Sequence, residues 1–212
     1  MLVFSKQKLV FLSVPKTGTT AWQVALGRHA SMVVTDPPEL KHAPVFRYNR
    51  FFRPALEKFV GEGLDVMAVM REPVSWLGSW YRYRQRPFLD RHANSTAGIS
   101  FDDFVEAYLK GQTPGFANVG AQSKFLEPTR NGTAITHLFR YEDQTAIIGF
   151  LQNRLQCAIT LERYNASAKV ASVPQLSEDV ERRLRRKFAP DFALWNGIGA
   201  DGAYVPVPEA SI

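Results

Sequence analysis

The sequence predicts an α/β fold in which a central parallel sheet is covered by helices on both faces. Three observations lead to this prediction: apolar runs without alternation recur along the chain, helix-like segments follow them, and turns rich in glycine, proline or charge separate the two. Such runs are typical of strands buried on both faces, and strands that alternate with helices form parallel sheets. The chain has 212 residues, 45% of them hydrophobic, which suffices for one core. We therefore expect one domain over residues 1–197 and a C-terminal tail over residues 198–212.

Strands are expected where the short apolar runs lie, at Leu9–Val14, Ser31–Val34, Asp65–Met70, Ile135–Arg140 and Ala158–Leu161. Helices are expected at Thr19–His29, at Pro44–Val60 in two pieces that meet near Pro54, and at Val74–Arg84, Ser100–Lys110, Ala121–Leu126, Gln144–Gln156 and Leu176–Phe188. The polar stretches Thr35–Ala43 and Arg86–Ser100 are expected to be loops. Because ligands bind outside the carboxyl ends of parallel strands, we expect a site at the turns that follow the strands.

The charge balance favours an anionic partner. The chain carries 26 lysines and arginines against 20 acidic residues, a net charge of +6, which suits a nucleotide, an acidic glycan, a nucleic acid or a membrane surface. The basic residues form no recognised nucleic-acid-binding module, so a nucleic acid is not expected. The single cysteine, Cys157, excludes an internal disulfide and a cysteine-rich metal site, which fits a cytoplasmic location. No apolar run is long enough to span a membrane, and Leu9–Val14 is too short for a signal sequence.

The turn after the first strand has the composition of a phosphate-binding loop. Residues 15–20 read Pro-Lys-Thr-Gly-Thr-Thr, between the apolar strand and the first helix. Backbone N–H groups converge at such a turn, and the N-terminus of the following helix carries partial positive charge. Lys16 adds a full charge, and Thr17, Thr19 and Thr20 add hydroxyl donors. The alternative is an ordinary strand-to-helix turn that binds nothing.

The order of residues in this turn differs from that of a loop that binds Mg-NTP. In the Walker A pattern, G-x-x-x-x-G-K-[ST], Gly18 and Thr20 fit, but Ser13 stands at the first glycine and Thr19 at the lysine. The only lysine of the turn, Lys16, lies earlier. The segment instead resembles the 5′-phosphosulfate loop, P-K-x-G-T-T, of sulfotransferases that use 3′-phosphoadenosine 5′-phosphosulfate (PAPS). This resemblance implies a three-layer, P-loop-like fold.

A second motif follows the strand Asp65–Met70. Arg71 ends this strand, a Glu-Pro dipeptide follows, and Ser79 lies about two turns into the next helix. An arginine can fork onto phosphate oxygens while a serine hydroxyl donates a further hydrogen bond. The segment resembles the 3′-phosphate motif of sulfotransferases, R-[DE]-P-x-x-x-x-x-S-x-Y, which Tyr81 completes. Taken alone, it also fits a strand-end arginine in an ion pair beside a serine on a helix face.

Through both motifs the chain is identified, by resemblance, as a member of the PAPS-dependent sulfotransferases, of the bacterial or carbohydrate-directed branch. The resemblance implies that the 5′-phosphosulfate is bound by Pro15, Lys16, Thr17, Gly18, Thr19 and Thr20, and the 3′-phosphate by Arg71 and Ser79. PAP, the desulfated nucleotide, would be the product. Trp22 stands one place later than the adenine-stacking tryptophan of the cytosolic small-molecule branch, and the R-x-G-x-x-G-x-W-K segment of that branch is absent. The segments Asn118–Ser123 and Tyr141–Asp143 look more like the carbohydrate-directed and bacterial branches.

Sulfuryl transfer needs a group that stabilises charge on the departing phosphate and a base that removes the acceptor proton. Lys16 is the expected charge stabiliser. His42 is the expected base, since it resembles the Lys-His segment at this place in related bacterial enzymes. Glu39 and Asp36 are alternative bases, and His42 could also be a surface histidine without a catalytic role. No metal is expected, because no clustered histidine, cysteine and carboxylate ligand set is evident.

The acceptor that the resemblance implies is a hydroxyl compound, with an anionic carbohydrate as one candidate. Arg47, Arg50 and Arg53 recur every three residues, and we expect them to line a helical face that either grips such an acceptor or is merely solvated. Two other functions stay open. One is a P-loop-type nucleotide kinase, which the missing Gly-Lys pair disfavours. The other is a non-catalytic protein that binds PAP or PAPS but lacks a base.

Overall fold

The computed structural model describes residues 1–161, 174–199 and 201–203, and these contain one five-stranded sheet. The strands are β1 (Leu2–Phe4), β2 (Leu9–Phe11), β3 (Met32–Val33), β4 (Asp65–Met70) and β5 (His137–Arg140). Their order across the sheet is β3-β1-β2-β4-β5. β2, β4 and β5 pair in parallel, whereas β1 is antiparallel to both β2 and β3. The predicted α/β class is confirmed, but the sheet is mixed, and the prediction of a wholly parallel sheet is wrong.

The antiparallel strand β1 has no counterpart among the predicted strands. Its Leu-Val-Phe triplet is buried and pairs with the identical triplet of β2. The turn between them contains neither glycine nor proline. Lys8 closes it with a φ of 48° and donates its N–H to Ser5 O at 3.1 Å. A reversal without the usual turn residues leaves no hairpin signal in the sequence.

The helices largely follow the predicted order. They are α1 (Thr19–Leu26), α2 (Pro38–Lys41), α3 (Val45–Arg47), α4 (Arg53–Val60), α5 (Pro73–Arg84), α6 (Phe101–Tyr108), α7 (Gln122–Leu126), α8 (Gln144–Leu155), α9 (Glu178–Lys187) and α10 (Ala189–Asn196). A π-helical turn, Tyr48–Phe52, joins α3 to α4. The short helix α2 lies within the stretch predicted as a loop, and α10 has no predicted counterpart.

Helices cover both faces of the sheet. Alternate strand residues point to opposite sides, so each face presents apolar side chains that helices bury. One face packs against α3 and α7 through a cluster that includes Val10, Val66, Val45, Tyr48 and Leu126. The other face packs against α1 and α8 through a cluster that includes Phe11, Met67, Trp22, Ile147 and Leu151. A third cluster joins α5, α6 and α9 through Trp76, Leu77, Phe104, Val180 and Leu184. These clusters fix α1 and α5, the two helices that follow the predicted motifs.

The prediction of a strand at Ala158–Leu161 is wrong, because these residues form no ladder and Ile159 is instead buried in the second cluster beside α8. Near the other end of the described chain, Leu138 N–H of β5 donates to Gly202 O at 2.9 Å. Gly202 has a φ of 79°, and a Cβ there would overlap the Phe139 ring, so only glycine fits. Residues 204–212 of the predicted tail lie outside the described residues.

Candidate functional site

The loop of residues 15–18 leads from the carboxyl end of β2 into α1. Gly18 is the N-cap of α1 with a φ of 74°, and a Cβ added there would lie 3.3 Å from the Tyr141 ring. Lys16 also has a positive φ, 66°, a strained conformation for a residue other than glycine and one that clusters at functional sites. α1 begins with no side-chain cap and no acidic residue in its first turn. Its N-terminus can therefore bind an anion.

The loop is held from inside by two hydrogen bonds. Thr17 is buried and donates its hydroxyl to Val14 O at 2.8 Å, and Trp76 Nε1 of α5 donates to Pro15 O at 2.9 Å. The Thr17 hydroxyl, which the sequence suggested as a ligand donor, thus shapes the loop. Thr20, in the first turn of α1, is exposed.

The Lys16 side chain lies against aromatic rings of α5. Its Nζ is 3.0 Å from the centroid of the Tyr83 ring and 4.3 Å from that of Trp80. Burial, with the nearby charges of Arg86 and Arg84 as smaller causes, lowers the Lys16 pKa to about 7. Because a bound anion stabilises the charged form of a lysine, it would raise this pKa.

Arg71, at the carboxyl end of β4, is held by several partners. Its backbone N–H donates to Gln122 Oε1 at 2.9 Å, and its carbonyl accepts from Gln122 Nε2 at 2.8 Å. Its Nε donates to Ser75 Oγ at 2.9 Å, and the guanidinium lies 4.6 Å from the centroid of the Tyr141 ring. A terminal nitrogen donates to Lys16 O at 3.4 Å. The two motifs found in the sequence therefore meet at one edge of the sheet.

The position of Gln122 is set by Asp191 of α10. The Gln122 N–H donates to Asp191 Oδ1 at 2.9 Å, and the Ser123 hydroxyl donates to Oδ2 at 2.7 Å. Burial raises the pKa of Asp191, and the hydrogen bonds from Ser123 and Gln122 oppose that rise. Asp191 thus caps the start of α7 and, through Gln122, holds Arg71 in place. The sequence suggested neither role.

One side of α5 continues from Arg71. The Ser75 hydroxyl, which the sequence did not suggest, accepts a hydrogen bond from Arg71 Nε at 2.9 Å. Ser79 lies one turn further along and is half-buried, and Arg82 follows at the next position on the same side. Burial lowers the Arg82 pKa, and the charge of Arg71 lowers it further, so the two guanidinium groups interact electrostatically.

Two buried donors on α5 have no hydrogen-bond partner within the described residues: Trp80 Nε1 and one terminal nitrogen of Arg82. Native proteins leave few such groups unpaired, and each costs about 1–3 kcal/mol. Trp80 contacts Lys16, and Arg82 interacts with Arg71. The unpaired donors therefore belong to side chains that interact with Lys16 and Arg71, the two cations of the predicted motifs.

His42 is held against the same loop. Its Nδ1 lies 2.7 Å from Ser13 O, and because a carbonyl only accepts, Nδ1 carries the hydrogen and Nε2 keeps a lone pair. Burial lowers the His42 pKa, the hydrogen bond to Ser13 opposes this, and the charges of Lys41 and Lys16 lower it further. The imidazole is therefore neutral at pH 7, as a base must be.

The three other histidines and the two alternative bases have different surroundings. His29 and His92 form hydrogen bonds with residues close to them in sequence, and His137 is hydrogen-bonded to its neighbour Thr136 and packs on the Phe150 ring. Glu39 and Asp36 are exposed. Of the residues considered as bases, His42 alone has a recorded hydrogen bond, within the described chain, to the segment that leads from β2 into the loop.

Two other sequence interpretations change with the structure. Trp22 is 2% exposed and packs on Phe11 with ring centroids 6.0 Å apart, so it is a core residue. Arg47, Arg50 and Arg53, which were expected to line one helical face, lie on a segment in which a π-helical turn joins α3 to α4, and they differ in their surroundings. Arg47 donates to the backbone of α2 and Arg53 pairs with a neighbouring glutamate, both at 2.6 Å, while Arg50 is exposed.

A cavity of about 230 Å³ lies beside the loop of residues 15–18, in the space between α5 and α7. Its lining is mainly apolar and includes Val14, Pro15, Pro44, Phe46, Trp76 and Phe125. Two lining residues connect it to the elements above: Trp76 donates to Pro15 O, and Gln122 holds Arg71. The cavity therefore lies beside the elements that carry the two motifs.

Across the described ranges, no group of three or more His, Cys, Asp or Glu residues could hold a metal ion, and no helix is long and apolar enough to cross a membrane. Comparison of the chain with protein-family models, curated proteins and solved structures finds no match. The function is therefore inferred from the site itself and from the two sequence motifs.

Proposed function

We propose that this chain is a PAPS-dependent sulfotransferase with a P-loop-like nucleotide site. The observation that carries the proposal is the meeting of two cationic strand ends, where Arg71 donates to Lys16 O at 3.4 Å and the unpaired donors of Arg82 and Trp80 lie beside them. A ligand with two separated phosphate groups can satisfy both ends at once. Among such ligands, the resemblance of both motifs to those of sulfotransferases selects PAPS.

Different residues of the chain would bind the two phosphate groups of the nucleotide. The N-terminus of α1 and Lys16 suit the 5′-phosphosulfate, and Arg71, with Arg82 and a serine of α5, suits the 3′-phosphate. When bound, PAPS supplies an activated sulfuryl group. Protonated Lys16 then stabilises negative charge where it develops on the phosphate.

His42 would act as the base. Its Nδ1–H donates to Ser13 O at 2.7 Å, which fixes the ring tautomer and leaves Nε2 to take the proton of a hydroxyl acceptor. The cavity beside the loop offers space for that acceptor. An anionic carbohydrate remains a candidate, but its support is reduced to Arg50, because Arg47 and Arg53 are engaged within the protein.

Calorimetric titration with PAP, with and without Mg²⁺ and in parallel with ATP, tests the nucleotide. We expect metal-independent PAP binding in the micromolar range and weaker ATP binding. Arg71→Ala should weaken PAP binding by about tenfold to a hundredfold, since it removes charge-assisted hydrogen bonds. Arg182→Ala is the matched control, because Arg182 is an exposed arginine paired with Asp179.

Turnover of PAPS with a panel of hydroxyl acceptors tests the chemistry. His42→Ala should keep PAP affinity and lower turnover by about 10²- to 10⁴-fold. Tighter binding of Mg-ATP than of PAP would favour the kinase and refute the proposal. PAP binding without turnover on any acceptor would instead define a non-catalytic binding protein.

A further inference from the structure

The helical segment of residues 45–60, which comprises α3, the π-helical turn and α4, has two distinct sides. Its inner side packs on the sheet through Val45, Tyr48, Phe52 and Leu56. The exposed positions recur one turn apart and form a single outer side. They are Phe46, Arg50, Phe51, Pro54, Ala55, Lys58 and Phe59.

The outer side carries three phenylalanines that the core does not use. Phe46, Phe51 and Phe59 are 54%, 59% and 82% exposed. Single exposed apolar residues are ordinary, but a row of aromatic rings along one helix side indicates an interaction surface.

The charges on this side have one sign. Arg50 lies 5.3 Å from the centroid of the Phe51 ring, and Lys58 lies 5.9 Å from that of Phe59. The one acidic residue of the segment, Glu57, is turned away from the outer side and pairs with Arg53 at 2.6 Å. The outer side thus combines aromatic rings with cations and contains no carboxylate.

We propose that this outer side docks on the surface of an anionic lipid bilayer, with the segment lying in the plane of the interface. Phenylalanine rings bury at the boundary between headgroups and acyl chains, and lysine and arginine heads reach the lipid phosphates. A second copy of the chain fits this surface less well, because pairing two such sides would bring Arg50 and Lys58 of both copies together, in a chain of net charge +6.

Docking would also orient the rest of the molecule. Phe46 belongs both to the outer side and to the lining of the cavity beside the loop. A bilayer under the outer side would therefore lie next to the cavity. The docking itself does not depend on the proposed sulfotransferase activity.

Vesicle co-sedimentation tests the proposal. The full chain should bind phosphatidylcholine vesicles that contain phosphatidylglycerol, and should bind neutral phosphatidylcholine vesicles at least about tenfold more weakly. Replacing Phe46, Phe51 and Phe59 together by serine should reduce the partition constant for anionic vesicles by about tenfold or more. Phe88→Ser is the matched control, since Phe88 is 65% exposed and lies outside the segment.

Charge reversal separates this surface from the general positive charge of the protein. Arg50→Glu with Lys58→Glu should abolish the preference for anionic vesicles. Lys6→Glu with Lys110→Glu, which changes the net charge equally at two other exposed positions, should preserve most of it. Equal losses in the two double variants would overturn the proposal.

Two further measurements separate bilayer docking through this side from self-association. A fluorophore attached at Phe59→Cys, in a Cys157→Ser background, should shift to shorter wavelength on anionic vesicles, and an unchanged spectrum would contradict docking through this side. Sedimentation equilibrium should show the wild-type chain as a monomer. The contrary result would be a wild-type dimer that the triple serine variant no longer forms. Such a dimer, without vesicle binding, would assign the surface to a second copy of the chain.

Discussion

The two cationic residues of the candidate site are held in different ways. The Arg71 backbone donates to and accepts from the Gln122 side chain, its Nε donates to Ser75 Oγ, and its guanidinium lies over the Tyr141 ring. The Lys16 ammonium lies instead against the rings of Tyr83 and Trp80. Hydrogen bonds fix direction, whereas a cation–π contact constrains a flexible side chain less.

This difference indicates that Arg71 and Lys16 have different roles in binding an anion. Arg71 is already oriented before a ligand arrives, so little conformational freedom is lost when it binds an anion. Lys16 is half-buried against rings, which lowers its pKa to about 7, so it is only partly protonated at neutral pH and must turn toward an anion to bind it. Arg71 would therefore set where the nucleotide lies, and Lys16 would respond to it.

The largest effect is expected from breaking the hydrogen bonds that hold Arg71. Gln122→Ala leaves the Arg71 N–H and carbonyl without these partners, and we expect the free energy of unfolding to fall by about 2–4 kcal/mol. PAP affinity should fall with it. Urea unfolding and calorimetry measure the two quantities, and Gln85→Ala, at an exposed position, is the control. Unchanged PAP affinity in a folded Gln122→Ala variant would show that this glutamine does not position Arg71.

A smaller effect is expected from the titration of Lys16. Its pKa in the free protein is about 7, below the ordinary lysine value, and only the protonated amine attracts an anion. PAP affinity should therefore fall as the pH rises above 7, by at most about tenfold per pH unit. Lys16→Arg stays charged throughout and should lose this dependence, while any titration of PAP itself is common to both proteins. A flat wild-type profile from pH 6 to 9 would refute the lowered pKa.

The smallest effects are expected at the two serines of α5. Ser75→Ala removes the partner of Arg71 Nε, and we expect it to lower the free energy of unfolding by about 0.5–1.5 kcal/mol. Ser79→Ala should change that free energy by less than about 0.5 kcal/mol and should weaken PAP binding only. If Ser75→Ala weakened PAP binding while Ser79→Ala did not, Ser75 would have the role that the motif assigns to Ser79.

Local patterns predicted the central elements well. β4 has the predicted bounds, Asp65–Met70, because a continuous apolar run is enclosed by Gly63 on one side and the Arg-Glu-Pro turn on the other. α7 differs from its prediction by one residue. The sequence could not predict that the sheet is mixed. β1 joins β2 through a turn without glycine or proline, and neither local propensity nor periodicity gives the direction in which two strands pair.

The sequence alone predicted that Lys16 and Arg71 each follow a buried strand, because local patterns of neighbouring residues indicate the order of strands, turns and helices. Only the tertiary structure decided how each is held. Asp191 and Gln122 are separated by 69 positions, and Gln122 and Arg71 by 51, so no local pattern connects them. Likewise, the contact of Lys16 with Tyr83 and the outward row of phenylalanines at residues 46–59 arise from packing. Which side of a helix the core buries is a property of the whole fold.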